Sequence, residues 1–143
     1  MRLDFSVEIP LPPAALYDYL RSPTEWSRLY GSFGDVEDRG DGWYAVPLRR
    51  SPFPLGTRIV EDQANRRVAW EFAGFWKGTG EVDLEPTDTG TLGTGQETVH
   101  IPHMLGLGPV IERRLLEQAV RAIWDAGWHR LRRMAESNAQ PRP

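Results

Sequence analysis

The chain has 143 residues, of which 40% are hydrophobic and 26% are charged, and its formal net charge is -3. This length and composition are typical of one globular domain and exclude an intrinsically disordered chain. The absence of cysteine excludes disulfides, thiolate metal sites and a cysteine nucleophile, and the slightly negative charge argues against nucleic-acid binding, which requires a basic face.

The N-terminal segment gives no targeting signal. It alternates charged and apolar residues and lacks a continuous apolar core, so we do not expect a signal peptide. No window of the sequence approaches the run of about 18 apolar residues that a membrane-spanning helix needs. We therefore expect a cytoplasmic protein without a membrane span.

The first predicted elements are a strand and two short helices. Residues 2–9 alternate apolar and polar side chains with a period of two, which predicts a strand with one buried face. Prolines then stop the strand and start a helix over residues 14–21. The sequence Ser22-Pro23-Thr24-Glu25 has the pattern of a capping box, which predicts a second short helix to about Leu29.

The middle of the chain is divided into short extended segments by turn signals rich in glycine, proline and asparagine. Short loops between successive strands favour antiparallel neighbours and hence a meander. The clearest inner face holds Val68, Trp70 and Phe72. We expect Ile59 opposite Trp70, and Glu61 on the same face as Ile59. The predicted strands cover residues 34–38, 43–50, 57–63, 67–76, 78–85 and 91–101.

The last predicted element is a long helix over residues 110–137, where Gly127 is the sole helix breaker after the initial proline. We predict that Trp124 and Trp128 flank its apolar side. That side is predicted to contain Leu116, Ala119, Val120, Ile123, Gly127, Leu131 and Met134. Residues 138–143 are expected to be a disordered tail, which leaves one domain over residues 1–137.

This order of elements resembles the START-like superfamily and, within it, the polyketide cyclase/dehydrase and lipid-transport group. The resemblance is carried by FSVEIPLPPAALYDYLRSPTEWSRLY near the start and GTLGTGQETVHIPHMLGLGPVIERRLLEQAV further on, and it covers nearly the whole chain. It implies an α+β helix-grip fold, in which a curved antiparallel sheet of about seven strands (β-α-α-β6-α) wraps around the C-terminal helix. It also implies a cavity between sheet and helix that takes hydrophobic or amphipathic small molecules.

The inner sheet face and the apolar helix side supply the candidate ligand-binding residues. Glycines there leave either close packing or empty space. Tyr44 is the tyrosine best placed to offer a hydroxyl to a ligand. Glu97 with Arg50 would form an ion pair, a ligand-orienting group or an acid of raised pKa, unless both lie at strand ends and reach water. The candidates are Tyr44, Val46, Leu48, Arg50, Ile59, Trp70, Phe72, Val82, Gly95, Glu97, Val99, Val120, Ile123, Trp124 and Gly127.

The sequence favours neither a metal site nor a cofactor. His100 is out of phase with the inner strand face and His129 is on the polar side of the helix, so together with His103 they do not form a metal triad. There is no G-x-S-x-G motif and no glycine-rich loop before a helix. We therefore expect no metal and no cofactor, and no catalytic residue is identified.

Three functions fit these patterns. The leading hypothesis is a monomer or homodimer that binds a hydrophobic or amphipathic small molecule, such as a lipid, quinone or polyketide. The second is an enzyme resembling polyketide aromatase/cyclases, which would use the same cavity. The third is a ligand-free protein-interaction module, which would have a filled interior and an exposed apolar patch.

Overall fold

A seven-stranded antiparallel sheet dominates the computed structural model, which describes residues 1–25, 35–48, 52–102 and 108–139. Helix α1 (Pro13–Leu20) follows the first strand, and helix α2 (Pro109–Ala139) follows the last. The strands are β1 (Arg2–Ile9), β2 (Glu37–Gly40), β3 (Trp43–Val46), β4 (Leu55–Gln63), β5 (Arg67–Ala73), β6 (Lys77–Pro86) and β7 (Thr91–His100). Their order in the sheet is β1-β7-β6-β5-β4-β3-β2, so the predicted meander runs from β2 to β7 and β1 joins its far edge.

The alternation predicted for the strands is confirmed where one face is buried. In β1, Leu3 and Ile9 are buried whereas the polar residues between them are mostly exposed. In β5, Val68, Trp70 and Phe72 are all buried, because this strand lies in the middle of the sheet under the helix. These side chains form the core between the inner sheet face and α2.

The register between β4 and β5 is confirmed up to a β-bulge. Ile59 pairs with Trp70, but the register shifts between Ile59 and Glu61, and the intervening Val60 is 52% exposed. An extra residue reverses the alternation that follows it. The prediction that Glu61 faces inward is therefore wrong: its Oε2 lies 3.2 Å from Nε of Arg67 in an ion pair on the outer face of the sheet.

Helix α2 packs along the inner face of the sheet through a stripe that drifts around its axis. The buried side chains follow steps of mostly four residues: Leu116, Val120, Trp124, Trp128, Leu131 and Ala135. Because a helical turn has 3.6 residues, such steps rotate the contact line, as expected against a twisted sheet. Trp124 and Trp128 are therefore central rather than flanking. The prediction for Met134 is wrong, since its side chain is 37% exposed.

Several predicted boundaries shift or fall on residues outside the described ranges. β2 begins at Glu37, β3 ends at Val46 and β5 ends at Ala73, so all three strands are shorter at one end than the sequence indicates. Residues 26–29 of the predicted second short helix lie outside the described residues, and so do Arg50 and His103.

The α+β helix-grip arrangement implied by the resemblance is confirmed, with one curved antiparallel sheet against one long C-terminal helix. Helix α2 has 31 residues and contacts β1 as well as the central core. Within the described part of the chain, no helix is both long enough and apolar enough to cross a membrane.

Candidate functional site

A small cavity lies between the inner sheet face and the middle of α2. Its volume is about 60 Å³, which gives room for on the order of five water molecules. Among the described residues that line it, Glu97 is the sole ionisable one. The other lining residues are apolar or aromatic: Leu48, Leu55, Trp70, Phe72, Trp76, Val99, Ala119, Val120, Ile123 and Trp124.

Three neighbouring strands place Glu97 beside the indole of Trp70. Trp70 pairs with Gly80, and Gly80 pairs with Glu97 on the next strand. The Trp70 ring lies over Gly80, where a Cβ atom would be 2.3 Å from Nε1 of Trp70. Without that Cβ the indole crosses β6, and its Nε1–H donates a hydrogen bond to Oε2 of Glu97 at 3.2 Å. Gly80 therefore has a specific role in the middle of a strand, where glycine otherwise weakens pairing.

The Glu97 carboxyl is buried against aromatic and apolar side chains. Its residue is 6% exposed, which contradicts the alternative that it reaches water at a strand end. Burial raises the pKa of Glu97 to about 7, although hydrogen bonds from the Trp124 and Trp70 indoles lower it and so partly oppose the shift. Near neutral pH this carboxyl is therefore present in both its neutral and its charged form.

The structure does not test the expected ion pair between Glu97 and Arg50, because Arg50 lies outside the described residues. Within the described wall of the cavity, the hydrogen-bond donors to Glu97 are indole N–H groups rather than a cation. Indole donors stabilise the ionised carboxyl less than a charged partner does. The raised pKa of Glu97 is consistent with this donor set.

An aromatic stack fills the interior next to the cavity. The ring centroids of Trp124 and Phe5 are 4.8 Å apart, and those of Trp124 and Trp128 are 5.1 Å apart. Trp70 is tilted against the same ring at 5.8 Å. Trp124 therefore fills part of the core and also lines the cavity.

A second aromatic group borders the cavity at the end of the sheet where β5 turns into β6. The rings of Phe53 and Phe75 are stacked at 4.1 Å, and Trp76 meets Phe75 edge-on at 5.3 Å. The Trp76 Nε1–H donates to the carbonyl oxygen of Phe53 at 3.3 Å. Trp76, Leu55 and Ala119 also line the cavity but are not among the candidates predicted from the sequence. The available signals were the apolar stretch Phe53-Pro54-Leu55 and the place of Ala119 on the apolar side of the helix, whereas Trp76 was predicted at the end of a strand and lies in the turn after β5.

The structure brings together about half of the predicted site residues. Around the cavity lie Leu48, Trp70, Phe72, Glu97, Val99, Val120, Ile123 and Trp124. The other described candidates do not line it: Tyr44, Val46, Ile59, Val82, Gly95 and Gly127. Gly95 marks close packing rather than empty space, since a Cβ there would be 2.8 Å from Cζ of Phe5 and 2.1 Å from the carbonyl oxygen of Glu81.

Metal-ligating side chains are not clustered in the described part of the chain. His100 and His129 are both exposed and belong to different elements, β7 and α2. The cavity itself contains no histidine among its described lining residues.

Solved structures with the same fold are diverse in sequence. A conserved protein from Geobacillus kaustophilus matches with a TM-score of 0.76 at 14% identity, covering 96% of each chain. A START superfamily protein from Mycobacterium smegmatis matches with a TM-score of 0.71 at 10% identity, covering 93% of this chain and 98% of that one. The di-domain ARO/CYC BexL from the BE-7585A biosynthetic pathway matches at 0.73 and 18% identity, covering 99% of this chain and 51% of that one.

A family model agrees with the fold: the model described as polyketide cyclase/dehydrase and lipid transport matches residues 1–136. No curated protein sequence matches the chain significantly. With START superfamily and ARO/CYC structures among its structural neighbours, the chain belongs to the polyketide cyclase/dehydrase and lipid transport family.

Proposed function

We propose that this protein binds a hydrophobic or amphipathic small molecule, such as a lipid, quinone or polyketide, in the cavity between the sheet and α2. The observation that carries the proposal is an apolar cavity with a single ionisable group, Glu97, in its described wall. Apolar walls with one or two placed polar groups are typical of small-molecule sites. Burial of apolar ligand surface would supply affinity at roughly 25 cal/mol per Å², and Glu97 would orient the ligand.

The cavity volume limits which part of a ligand lies inside. About 60 Å³ is smaller than the cavity of roughly 150 Å³ that holds one benzene ring, so the cavity accommodates the end of a chain rather than a ring system. A larger ligand must displace part of the wall. Trp76 is suited to move because it lies in the turn between β5 and β6 and is held by aromatic contacts and one hydrogen bond to the Phe53 carbonyl.

Native mass spectrometry tests this proposal directly. Protein purified gently from its own host should carry a stoichiometric adduct of low mass, which extraction would identify. Ile123→Trp places a large ring at the cavity wall and should abolish the adduct, whereas Ile111→Trp, on an exposed part of the same helix, should retain it. A clean apo mass that does not shift when apolar probes are added would contradict the proposal and favour a ligand-free interaction module.

A cyclase-like enzyme is the second candidate, and Glu97 is the observation that favours it. An acid with a pKa of about 7 in a cavity with apolar walls is suited to general acid and base catalysis. Its carboxylate would remove a proton from the carbon between two ketones, and the resulting acid would return it to the alkoxide formed by ring closure. Turnover of a short poly-β-ketone thioester mimic that is lost in Glu97→Gln would support the enzyme; binding without turnover would support the carrier.

We also propose that residues 1–137 form one domain that is cytoplasmic and either monomeric or homodimeric. This follows the composition and the family match over residues 1–136. Cell fractionation with light scattering of the purified protein would test both properties; a membrane-bound fraction or a larger assembly would contradict them.

A further inference from the structure

We propose that the cavity selects ligands that carry an acceptor oxygen, such as a ketone or quinone carbonyl, and that Glu97 binds this oxygen as a neutral carboxylic acid. This inference rests on the proposed binding function. It adds the chemical class of the ligand and predicts that binding is coupled to uptake of a proton.

The first argument is the inventory of hydrogen-bonding groups in the cavity. The indole N–H groups of Trp70 and Trp124 donate to the Glu97 carboxyl, and the N–H of Trp76 donates to the Phe53 carbonyl. The remaining described side chains of the wall are aliphatic or phenyl groups. A polar ligand atom in this cavity therefore has Glu97 as its hydrogen-bonding partner, and a ligand oxygen needs the O–H that the neutral carboxyl supplies.

The second argument is the lack of a compensating charge among the described groups around Glu97. On β5 and β6, Glu71 and Glu81 have the opposite strand phase and pair with Arg58 and Arg67 on the outer face. On the other packed elements, Arg2 pairs with Asp4 on β1, Glu117 pairs with Arg121 on α2, and His100 at the end of β7 is exposed. The N-terminal ammonium donates to the carbonyl oxygen of Val99 at 3.1 Å, and the buried charged residue of α2, Glu112, is an acid. A ligand oxygen would not compensate an ionised carboxylate, so ligand binding favours the neutral acid.

A cationic amine is the competing ligand class, because an ammonium group would pair with the ionised carboxylate. Two indole N–H groups already donate to this carboxyl. An ammonium would be a further hydrogen-bond donor to the same two oxygens. An acceptor oxygen instead uses the hydrogen-bonding capacity of the acid that the indoles leave unused. The two classes predict opposite responses to pH and to the Glu97→Gln substitution, so one titration series separates them.

The experiment compares three probes of one carbon skeleton, namely ethylbenzene, acetophenone and α-methylbenzylamine, by isothermal titration calorimetry. Because the pKa of Glu97 is about 7, acetophenone affinity should fall roughly thirtyfold between about pH 6 and about pH 8.5. Ethylbenzene affinity should not change over this range. Titration in two buffers of different ionisation enthalpy should show proton uptake with acetophenone near neutral pH.

Glu97→Gln is the matched variant, because its amide N–H₂ donates at every pH while its carbonyl still accepts from the indoles. We expect this variant to bind acetophenone without pH dependence and without proton uptake. The proton count on the wild-type protein tests the same point without any substitution, and a thermal melt establishes that the variant is folded.

Three outcomes would overturn the inference, and they are distinguishable. If ethylbenzene and acetophenone bind equally and independently of pH, Glu97 does not select an acceptor oxygen, although the proposed binding function survives. If the amine binds best and Glu97→Gln abolishes its binding, the carboxylate is the recognising form. If none of the probes binds, the proposed function fails together with this inference.

Discussion

The carboxyl of Glu97 is buried where the described surroundings give its ionised form two indole donors. Its pKa is raised from the ordinary value of 4.5 to about 7, chiefly by burial. Between these two values the folded state binds more protons than the unfolded state. The free energy of unfolding attributable to Glu97 is therefore fully present below about pH 4.5 and decreases as the pH rises through about 7.

We predict that Glu97→Gln abolishes this pH dependence. Relative to the wild-type protein, the variant should gain stability as the pH rises from about 4.5 to about 8.5, by up to on the order of 3 kcal/mol. Urea denaturation of both proteins across this range measures the difference and cancels contributions common to both. Glu85→Gln, at an exposed position on β6, is the control and should show a much smaller pH-dependent difference.

Gly80 and Gly93 form a second matched pair at the residue scale. A Cβ at Gly80 would meet the Trp70 indole at 2.3 Å, whereas a Cβ at Gly93 would lie 3.7 Å from Val7 and Val82, which is ordinary contact. Gly80→Ala should lower the free energy of unfolding by about 2 kcal/mol or more, and Gly93→Ala should change it by less than about 1 kcal/mol. Equal effects in chemical denaturation would show that the position of the Trp70 ring does not depend on the absence of a Cβ atom at Gly80.

At the scale of elements, α2 and β4 both depart from a regular period. The buried stripe of α2 drifts around the helix axis from Leu116 to Ala135. Residues that a straight stripe would place on the same side of the helix therefore differ in burial. In β4, one bulged residue, Val60, turns Glu61 outward to Arg67. Both departures fit the element to a twisted and curved sheet.

The drift of α2 is tested by two residues that the straight stripe places on the same side. Leu131 is fully buried, whereas Met134 is 37% exposed. Leu131→Ala should lower the free energy of unfolding by about 2–5 kcal/mol. Met134→Ala should change it by roughly 0.5 kcal/mol or less. Comparable losses in urea denaturation would contradict the observed helix orientation.

Over the whole molecule, the two faces of the sheet have different roles. The inner face holds the core and the cavity, whereas the outer face carries an ionic cluster centred on Arg67. Arg67 lies beside Asp83 at 3.0 Å and Glu61 at 3.2 Å, and it also pairs with Glu81. Hydrogen bonds to these three carboxylates raise the pKa of Arg67. The cluster thus connects β4, β5 and β6 on the side away from the cavity.

We predict that Arg67→Ala lowers stability without changing ligand binding. Three carboxylates would lose their shared cation, at a cost of roughly 1–3 kcal/mol that high salt should reduce. Arg2→Ala, which removes an exposed pair with Asp4, should have little effect. Denaturation at low and high salt, with acetophenone titration of the folded proteins, measures both properties. Weaker binding by folded Arg67→Ala would contradict the separation of the two faces.

Local patterns in the sequence determined much of the fold. The period of two in β1 and β5, the pairing of Ile59 with Trp70 and the single long helix were all predicted and are confirmed. Such features follow from the repeat of the backbone itself, so neighbouring residues suffice to indicate them. The resemblance to the family supplied the helix-grip arrangement, and the match over residues 1–136 confirms that family.

The tertiary structure decided the site. Trp70, Gly80 and Glu97 meet because three strands are in one register, and Trp76 borders the cavity because a turn brings it there. The sequence indicated that Glu97 faces inward, but its pKa depends on burial and on indoles from two other elements. Contacts between residues distant in the chain depend on sheet register, curvature and helix crossing. Local periodicity does not encode these, so the folded protein had to define them.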